Sequence, residues 1–317
     1  MNAFHVACNC GHLDIVRYMI ENSKDFELST INSTGQNALH SACQEGHLNV
    51  VKLLLENAKE KGISVLTIDN DGNTILHAVV SQFYFNITDA TLEMIQLILI
   101  FESNIDTRQT NNDGETPLDI VQDNVDQCLE DWVLPGLESR LEKWRDVKWC
   151  LENSEEFMFQ QKYGESVFHT YCRNGDLEVV KMLLDQPKYV AYVNEEDSDG
   201  KTPLHHACHQ SQSVEMVQLF LDNAREKEIN VLAMDFEENT ILHEAVLQCK
   251  ATEVTLEIVK LILTNAKDSR LDPNQTNIWN KTALDIAKEK LNILKEIQHD
   301  EEDSKWKDIE ACLESIQ

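Results

Sequence analysis

Asp199-Gly200-Lys201-Thr202-Pro203-Leu204-His205-His206-Ala207-Cys208 has a near twin upstream, Ala38-Leu39-His40-Ser41-Ala42-Cys43. Weaker copies stand at Phe4-His5-Val6-Ala7-Cys8, Ile75-Leu76-His77-Ala78-Val79, Phe168-His169-Thr170-Tyr171-Cys172 and Ile241-Leu242-His243-Glu244-Ala245. Two further copies, Leu118-Asp119-Ile120-Val121 and Leu284-Asp285-Ile286-Ala287, carry Asp in place of His. Taking the His or Asp as a marker gives positions 5, 40, 77, 119, 169, 205, 243 and 285, spaced by 35, 37, 42, 50, 36, 38 and 42. A motif that recurs every 35 to 50 residues is an array of supersecondary units.

The spacings themselves recur. Markers of the second four units follow those of the first four by 164, 165, 166 and 166 residues. The segment from Trp144-Arg145-Asp146-Val147 to Cys150-Leu151-Glu152 is matched by Trp306-Lys307-Asp308-Ile309 to Cys312-Leu313-Glu314, displaced by 162. A length of 317 residues would ordinarily suggest two compact domains. The duplication predicts one solenoid of eight repeats over 1–317, with module one at 1–153, its first repeat incomplete, and module two at 154–317.

Each repeat reads as turn, helix, short loop, helix, long loop. In the second, Asn37 is an N-cap, Ala38 to Gln44 a short helix and Gly46 its stop. Leu48 to Asn57 is expected to form the second helix, its apolar face of Val50, Val51, Leu54 and Leu55 wide enough for a neighbour on either side. Thr116-Pro117 and Thr202-Pro203 place a cap and a proline at the first helical position. Gly35, Gly72, Gly114, Gly164 and Gly200 precede first helices, and Gly11, Gly46 and Gly175 separate helices. In repeats seven and eight Asn239 and Lys281 are read at the glycine position.

The stretch from Asp199 to Cys208, with Leu39-His40-Ser41-Ala42 and Gly46-His47-Leu48-Asn49-Val50-Val51-Lys52-Leu53-Leu54-Leu55, resembles the ankyrin repeat family. The resemblance implies an all-α fold, an α-solenoid of helix-turn-helix units with β-turn or hairpin fingers. It also implies that the marker histidine bonds neighbouring backbone and orders the turn. The repeats here are longer than the family period: Glu56 to Asp69 carries extra residues, and Phe83 to Thr91 and Ala251 to Thr255 are insertions. Repeat four, with Pro135-Gly136 and Trp132, Trp144 and Trp149, is stretched most.

Charge narrows the function. The chain has 56 acidic against 27 basic side chains, net −29, which argues against nucleic acid and anionic lipid and for positively charged partners. Residues 1–163 contribute −15 and residues 164–317 contribute −14, so the field is spread along the chain. Met1 to His5 shows no basic or apolar leader, the longest nearly apolar run, Met94 to Phe101, is too short to span a bilayer, and nine cysteines disfavour a complete disulfide framework. A reducing compartment, cytoplasm or nucleus, is expected.

Chemical motifs fail on spacing. Gly200-Lys201-Thr202 ends like a phosphate loop, but Glu195 stands at the earlier glycine and Glu196, Asp197 and Asp199 would repel phosphate. His243-Glu244 begins a zincin-like motif whose second ligand position is Leu247. Asp69-Asn70-Asp71-Gly72 suits a hairpin with Asx chemistry better than a calcium loop. His205, His206, Cys208 and His209 could ligate a metal, yet His205 is the repeat marker and Cys208 the counterpart of Cys43. Cys8 and Cys172 read as small buried groups, Cys10 and Cys249 as the better candidates for reactive thiols. No catalytic set, metal site or cofactor is expected.

The expectation is a non-catalytic protein-interaction scaffold, a monomeric array without membrane insertion that reads a basic partner on its concave finger and inner-helix face. Ser41, Gln44, Glu45, Asp69, Asn70, Asp71, Thr170, Arg173, Asp197, Asp199, His206 and His209 are the partner-binding residues expected there. The alternative is a regulatory ankyrin segment of a larger channel, kinase or ubiquitin-ligase adaptor. Phe4, Ile15, Tyr18 and Met19 would then face a missing neighbour, the reading expected of a fragment.

Overall fold

In a computed structural model the structure describes residues 2–22, 28–81, 87–102, 104–130, 136–153, 165–209, 213–248, 251–297 and 300–315. Trp132, Pro135, Gln160 to Gly164, Cys249 and the start of the Phe83 to Thr91 insertion lie outside them. The chain divides into two compact units, 1–157 and 158–317. Regular structure among the described residues is all helical.

Each unit holds four helix pairs. Those of the first are Ala3–Asn9 with Leu13–Asn22, Ala38–Gln44 with Leu48–Lys61, Ile75–Val80 with Asp89–Phe101, and Pro117–Glu130 with Leu137–Glu152. The second has Val167–Asn174 with Leu177–Asp185 and a short turn Pro187–Val190, then Pro203–His209 with Val214–Asn223. Ile241–Leu247 with Glu253–Ser269 and Ala283–Ile297 with Asp300–Glu314 complete it. Within each unit the first helices pack on one another in chain order, and the second helices do the same. This is why Ala38 to Cys43 is buried on every side, an arrangement a lone amphipathic helix would not show.

The expected helix Leu48 to Asn57 continues to Lys61 and stops at Gly62, whose φ of 67° only glycine adopts without strain. Ala58 anchors this extra turn in the core, and Lys59 and Lys61 complement the helix C-terminus. Trp144 is fully buried, whereas Trp149 of the same helix is exposed. Phe4 is buried rather than facing outward, while Ile15 and Tyr18 are exposed.

Six fingers share one hydrogen-bond pattern. An Asp or Asn opens each: Asn32, Asp69, Asn111, Asp197, Asp235 and Asn277. Its side-chain oxygen accepts from the backbone two and four residues on, as Asp69 does from Asp71 and Asn73 at 3.0 and 2.8 Å. Its own N–H donates to the residue that closes the finger, for example Asp197 to Lys201 at 2.9 Å. The Asx reading of Asp69 to Gly72 therefore describes every one of these fingers. Successive fingers are stitched by Asn70 N–H to Thr34 C=O, Asn112 to Asp71, Phe236 to Asp199 and Ile278 to Glu237, at 2.9 to 3.0 Å.

The left-handed residue of each finger lies two before the helix cap. In repeats seven and eight these are Glu238 and Asn280, at φ of 58° and 54°, and not the neighbouring Asn239 and Lys281 read from the sequence. Asn239 and Lys281 close their fingers instead. A side chain in this region is strained by about 1–2 kcal/mol, a strain Gly72 and Gly114 avoid in the matching repeats.

The marker histidine ties these parts together. In repeats capped by Thr or Ser, the cap N–H donates to Nδ1 of His77, His169, His205 and His243 at 3.1, 2.9, 3.1 and 3.2 Å. Nδ1 is then an acceptor, so Nε2 carries the proton of a neutral ring. Nε2–H donates to the carbonyl closing the next finger: Glu115, Lys201, Asn239 and Lys281, at 3.0, 2.9, 3.3 and 3.0 Å. Asn-capped His5 and His40 reach Gln36 and Asn73 at 3.2 and 3.4 Å. Asp119 and Asp285 accept from the N–H and hydroxyl of their own Thr caps and serve as caps alone. Replacing His77 with Ala leaves a buried cap and a finger carbonyl unsatisfied and should destabilise the fold by about 2 kcal/mol. Asp119→Ala should lose only about 1 kcal/mol, both read from urea unfolding.

Candidate functional site

The twelve residues expected to read a partner separate into two groups. Ser41, Asp69, Asp197 and His206 are buried. Asp69 and Asp197 are the acceptors that shape their fingers, and His206 Nε2 donates to Asp197 Oδ2 at 2.7 Å. All four are withdrawn from solvent, a correction to their expected exposure, and Asp69, Asp197 and His206 maintain the scaffold. Gln44, Glu45, Asn70, Asp71 and Asp199 are exposed, and Thr170, Arg173 and His209 are half-buried.

Three of these are occupied in holding module two together. Arg173 pairs with Glu165. His209 Nδ1 lies 3.1 Å from Glu244 Oε2, and Lys201 Nζ lies 3.0 Å from Glu244 Oε1, across the boundary between repeats six and seven. His206 packs edge-on against His169 of repeat five, ring centroids 5.5 Å apart. Glu244 is fully buried, and Lys201 Nζ and His209 Nδ1 are the partners its two carboxylate oxygens meet. Burial works against the Glu244 carboxylate, but His209 and Lys201 outweigh it and hold its pKa below the usual value. Burial likewise opposes the Asp197 carboxylate, and His206 with the Lys201 and Asp199 N–H groups brings its pKa down.

Module one has no such charges. At the displacement of 165, Asn32, Gln36, Ser41 and Gln44 stand for Asp197, Lys201, His206 and His209, and at 166 Ala78 stands for Glu244. The repeat motif contains Lys201 and Glu244, but its one-dimensional pattern does not pair them. Superposing the two modules would have exposed them as one coupled substitution.

The possible metal cluster is dispersed by these same bonds. His205 bridges its cap and Asn239, His206 meets Asp197, His209 meets Glu244, and Cys208 is buried. Among the described residues no group of three or more His, Cys, Asp or Glu side chains could hold a metal ion. Burial pushes the Cys8 thiol up to about 12 and raises Cys172 well above its ordinary value. Cys10 is exposed.

A second feature went unread in the sequence. Phe236, Ile278 and Trp279, at the tips of fingers seven and eight, are 68%, 49% and 53% exposed. Their module-one counterparts at displacement 166 are Asn70, Asn112 and Asp113. Asn70 and Asn112 donate from their side chains to the carbonyls of Ser33 and Asn70, at 3.1 and 3.0 Å.

Comparison with protein families matches a model of three ankyrin repeats to residues 1–65, 142–235 and 191–277, more than half of the chain. Of the stretches left unmatched, 66–141 and 278–317, the first carries the same finger and cap pattern through Asp69 to Asp119. No curated protein matches the sequence. Among solved structures, the ankyrin repeat domain of Bcl-3, a member of the IkappaB protein family, is 20% identical, with a TM-score of 0.32 over 93% of this chain and 98% of that one. No helix among the described residues is long and apolar enough to cross a membrane.

Two outcomes test this geometry. Glu244→Ala alone strands Lys201 and His209 and should lower stability by about 1–3 kcal/mol. The triple change K201Q/H209Q/E244A, which installs module one's residues, should return to within about 1 kcal/mol of the parent in urea unfolding, a non-additivity that identifies the coupling. The second concerns pH. Burial lowers the pKa of His5, His40, His77, His169, His205, His206 and His243 from 6.5. The unfolded chain then binds more protons, so their stabilisation is complete above 6.5 and is lost as pH falls through the folded values. Urea midpoints should be level near neutrality and decline below that value, with no comparable decline on the alkaline side up to about pH 8.

Proposed function

We propose, for a chain that belongs to the ankyrin repeat family, that the eight repeats serve as one non-catalytic scaffold for a partner with a basic surface. Ankyrin repeats bind protein partners, and this supports the interaction reading over an enzymatic one. The observation that carries the basic partner is the run of exposed carboxylates on the fingers: Asp71 and Asp113 in module one, and Asp199, Glu237 and Glu238 in module two. Lys201 and Lys281, the finger cations nearest those of module two, are already engaged by Glu244 and Glu289 at 3.0 and 2.7 Å. A surface of one sign attracts a partner of the other, and does so mainly through the rate of encounter.

Gln44, Glu45, Asn70, Asp71, Thr170, Arg173, Asp199 and His209 are the residues proposed to line this surface. Photo-crosslinkers placed at Asn70 and Gln44 should capture partners from a cell extract with exposed Lys or Arg at the crosslinked site. Capture should weaken as salt rises, with association slowed ~10-fold or more between low and physiological ionic strength. The variant D71K/D199K/E237K should lose most of that capture without a change in the urea midpoint. Capture indifferent to both salt and charge reversal would defeat the basic-partner reading.

A further inference from the structure

Fingers seven and eight are apolar at the residue after the opening Asp or Asn, where the other described fingers carry Ser33, Asn70, Asn112 and Ser198. In fingers three and four that residue is Asn70 or Asn112, whose amide bonds back to the preceding finger. In module two the same backbone hydrogen bonds are kept by Phe236 and Ile278, at 3.0 Å each, but these side chains have no amide to give. Trp279 stands where module one has Asp113. Three side chains of high transfer free energy replace polar ones and remain exposed, on adjacent fingers. The fold does not require them, because module one makes the same finger with Asn and Asp.

Phe236 is held in place. Its ring lies over Gly200 so closely that a Cβ there would meet Phe236 Cδ1 at 2.4 Å. Its outer face stays open, 68% exposed, so the ring is a preset platform. Around it stand Asp199, Glu237 and Glu238, all exposed. An apolar centre of aromatic residues with a charged rim is the usual plan of a protein-recognition hot spot.

We propose that Phe236, Ile278 and Trp279 form the docking centre of module two for a peptide segment that presents a large apolar side chain flanked by Lys or Arg. The proposal rests on the protein-binding reading above and names the place and chemistry of one contact. The acidic rim selects the occupant. It repels a second copy of the same fingertip and an anionic lipid surface, and it complements a basic peptide.

The test uses the full chain and its variant F236N/I278N/W279D, which installs module one's own fingertip residues. An unchanged urea midpoint and helical circular dichroism would establish that the variant folds. A random linear-peptide phage library is panned on the parent chain, and enriched peptides are titrated against both proteins by fluorescence anisotropy. The expected result is peptides with Leu, Phe, Trp, Ile or Met between Lys or Arg, bound at least ~10-fold more weakly by the variant. Enriched peptides bound equally by parent and variant would overturn the fingertip assignment and leave the scaffold reading standing. Enriched peptides lacking the apolar residue or the basic flanks would overturn the stated chemistry. Failure to enrich any peptide would overturn the fingertip proposal alone, since crosslinking at Asn70 and Gln44 tests the broader reading separately. A parent that dimerises in sedimentation while the variant stays monomeric would assign the patch to self-association and also overturn it.

Discussion

A buried neutral imidazole with two backbone partners is the constraint on which the repeats depend. One ring nitrogen closes the cap of its own helix, and the other reaches the carbonyl that ends the next finger. The bridge spans 38 residues from His77 to Glu115 and 32 from His169 to Lys201. Loop length therefore varies freely while the finger stays in step. The extra residues fall between the two ends of each bridge, as 83–91 does between His77 and Glu115. Under a Thr or Ser cap the ring is neutral because its Nδ1 accepts from the cap N–H, and burial favours the same state in every marker histidine. Asp replaces His at Asp119 and Asp285, where the side chain serves the cap alone.

Once that frame is fixed, the two modules are free to differ in chemistry. Module two carries the Lys201–Glu244–His209 cluster where module one has Gln36, Ala78 and Gln44. It tolerates Glu228, Glu238 and Asn280 at left-handed positions where module one has Gly62, Gly72 and Gly114. It also places Phe236, Ile278 and Trp279 at fingertips that are polar in module one. A buried ion pair is weak evidence for added stability, and left-handed Glu is strained, so these changes bring no evident gain to the fold. An open aromatic fingertip has its clearest physical use in contact with another molecule.

Much of this was legible in the chain. Asn37, the helix Ala38 to Gln44 and the prolines at Pro117 and Pro203 follow from caps and propensities confined to a few neighbouring residues. The second helix of repeat two was read four residues short, because Lys59, Glu60 and Lys61 add no apolar periodicity and only Gly62 marks the stop. Ser41, Asp69, Asp197 and His206 were read as outward because polarity suggested solvent. Asp69 and Asp197 are turned inward by backbone N–H groups of their own fingers, and His206 by Asp197 nine residues earlier.

The repeat, its duplication, the helix caps and the marker positions are all written in one dimension, since they rest on local hydrogen bonds and on a visible period. The tertiary structure decided which charges meet and which apolar side chains stay uncovered. Lys201 finds Glu244 only when repeat six is laid against repeat seven. Phe236 rests against Gly200 of the preceding finger and otherwise stays exposed. Such contacts join residues some 35 to 45 apart, where spacing fixes a face of the helix or finger but not its neighbour.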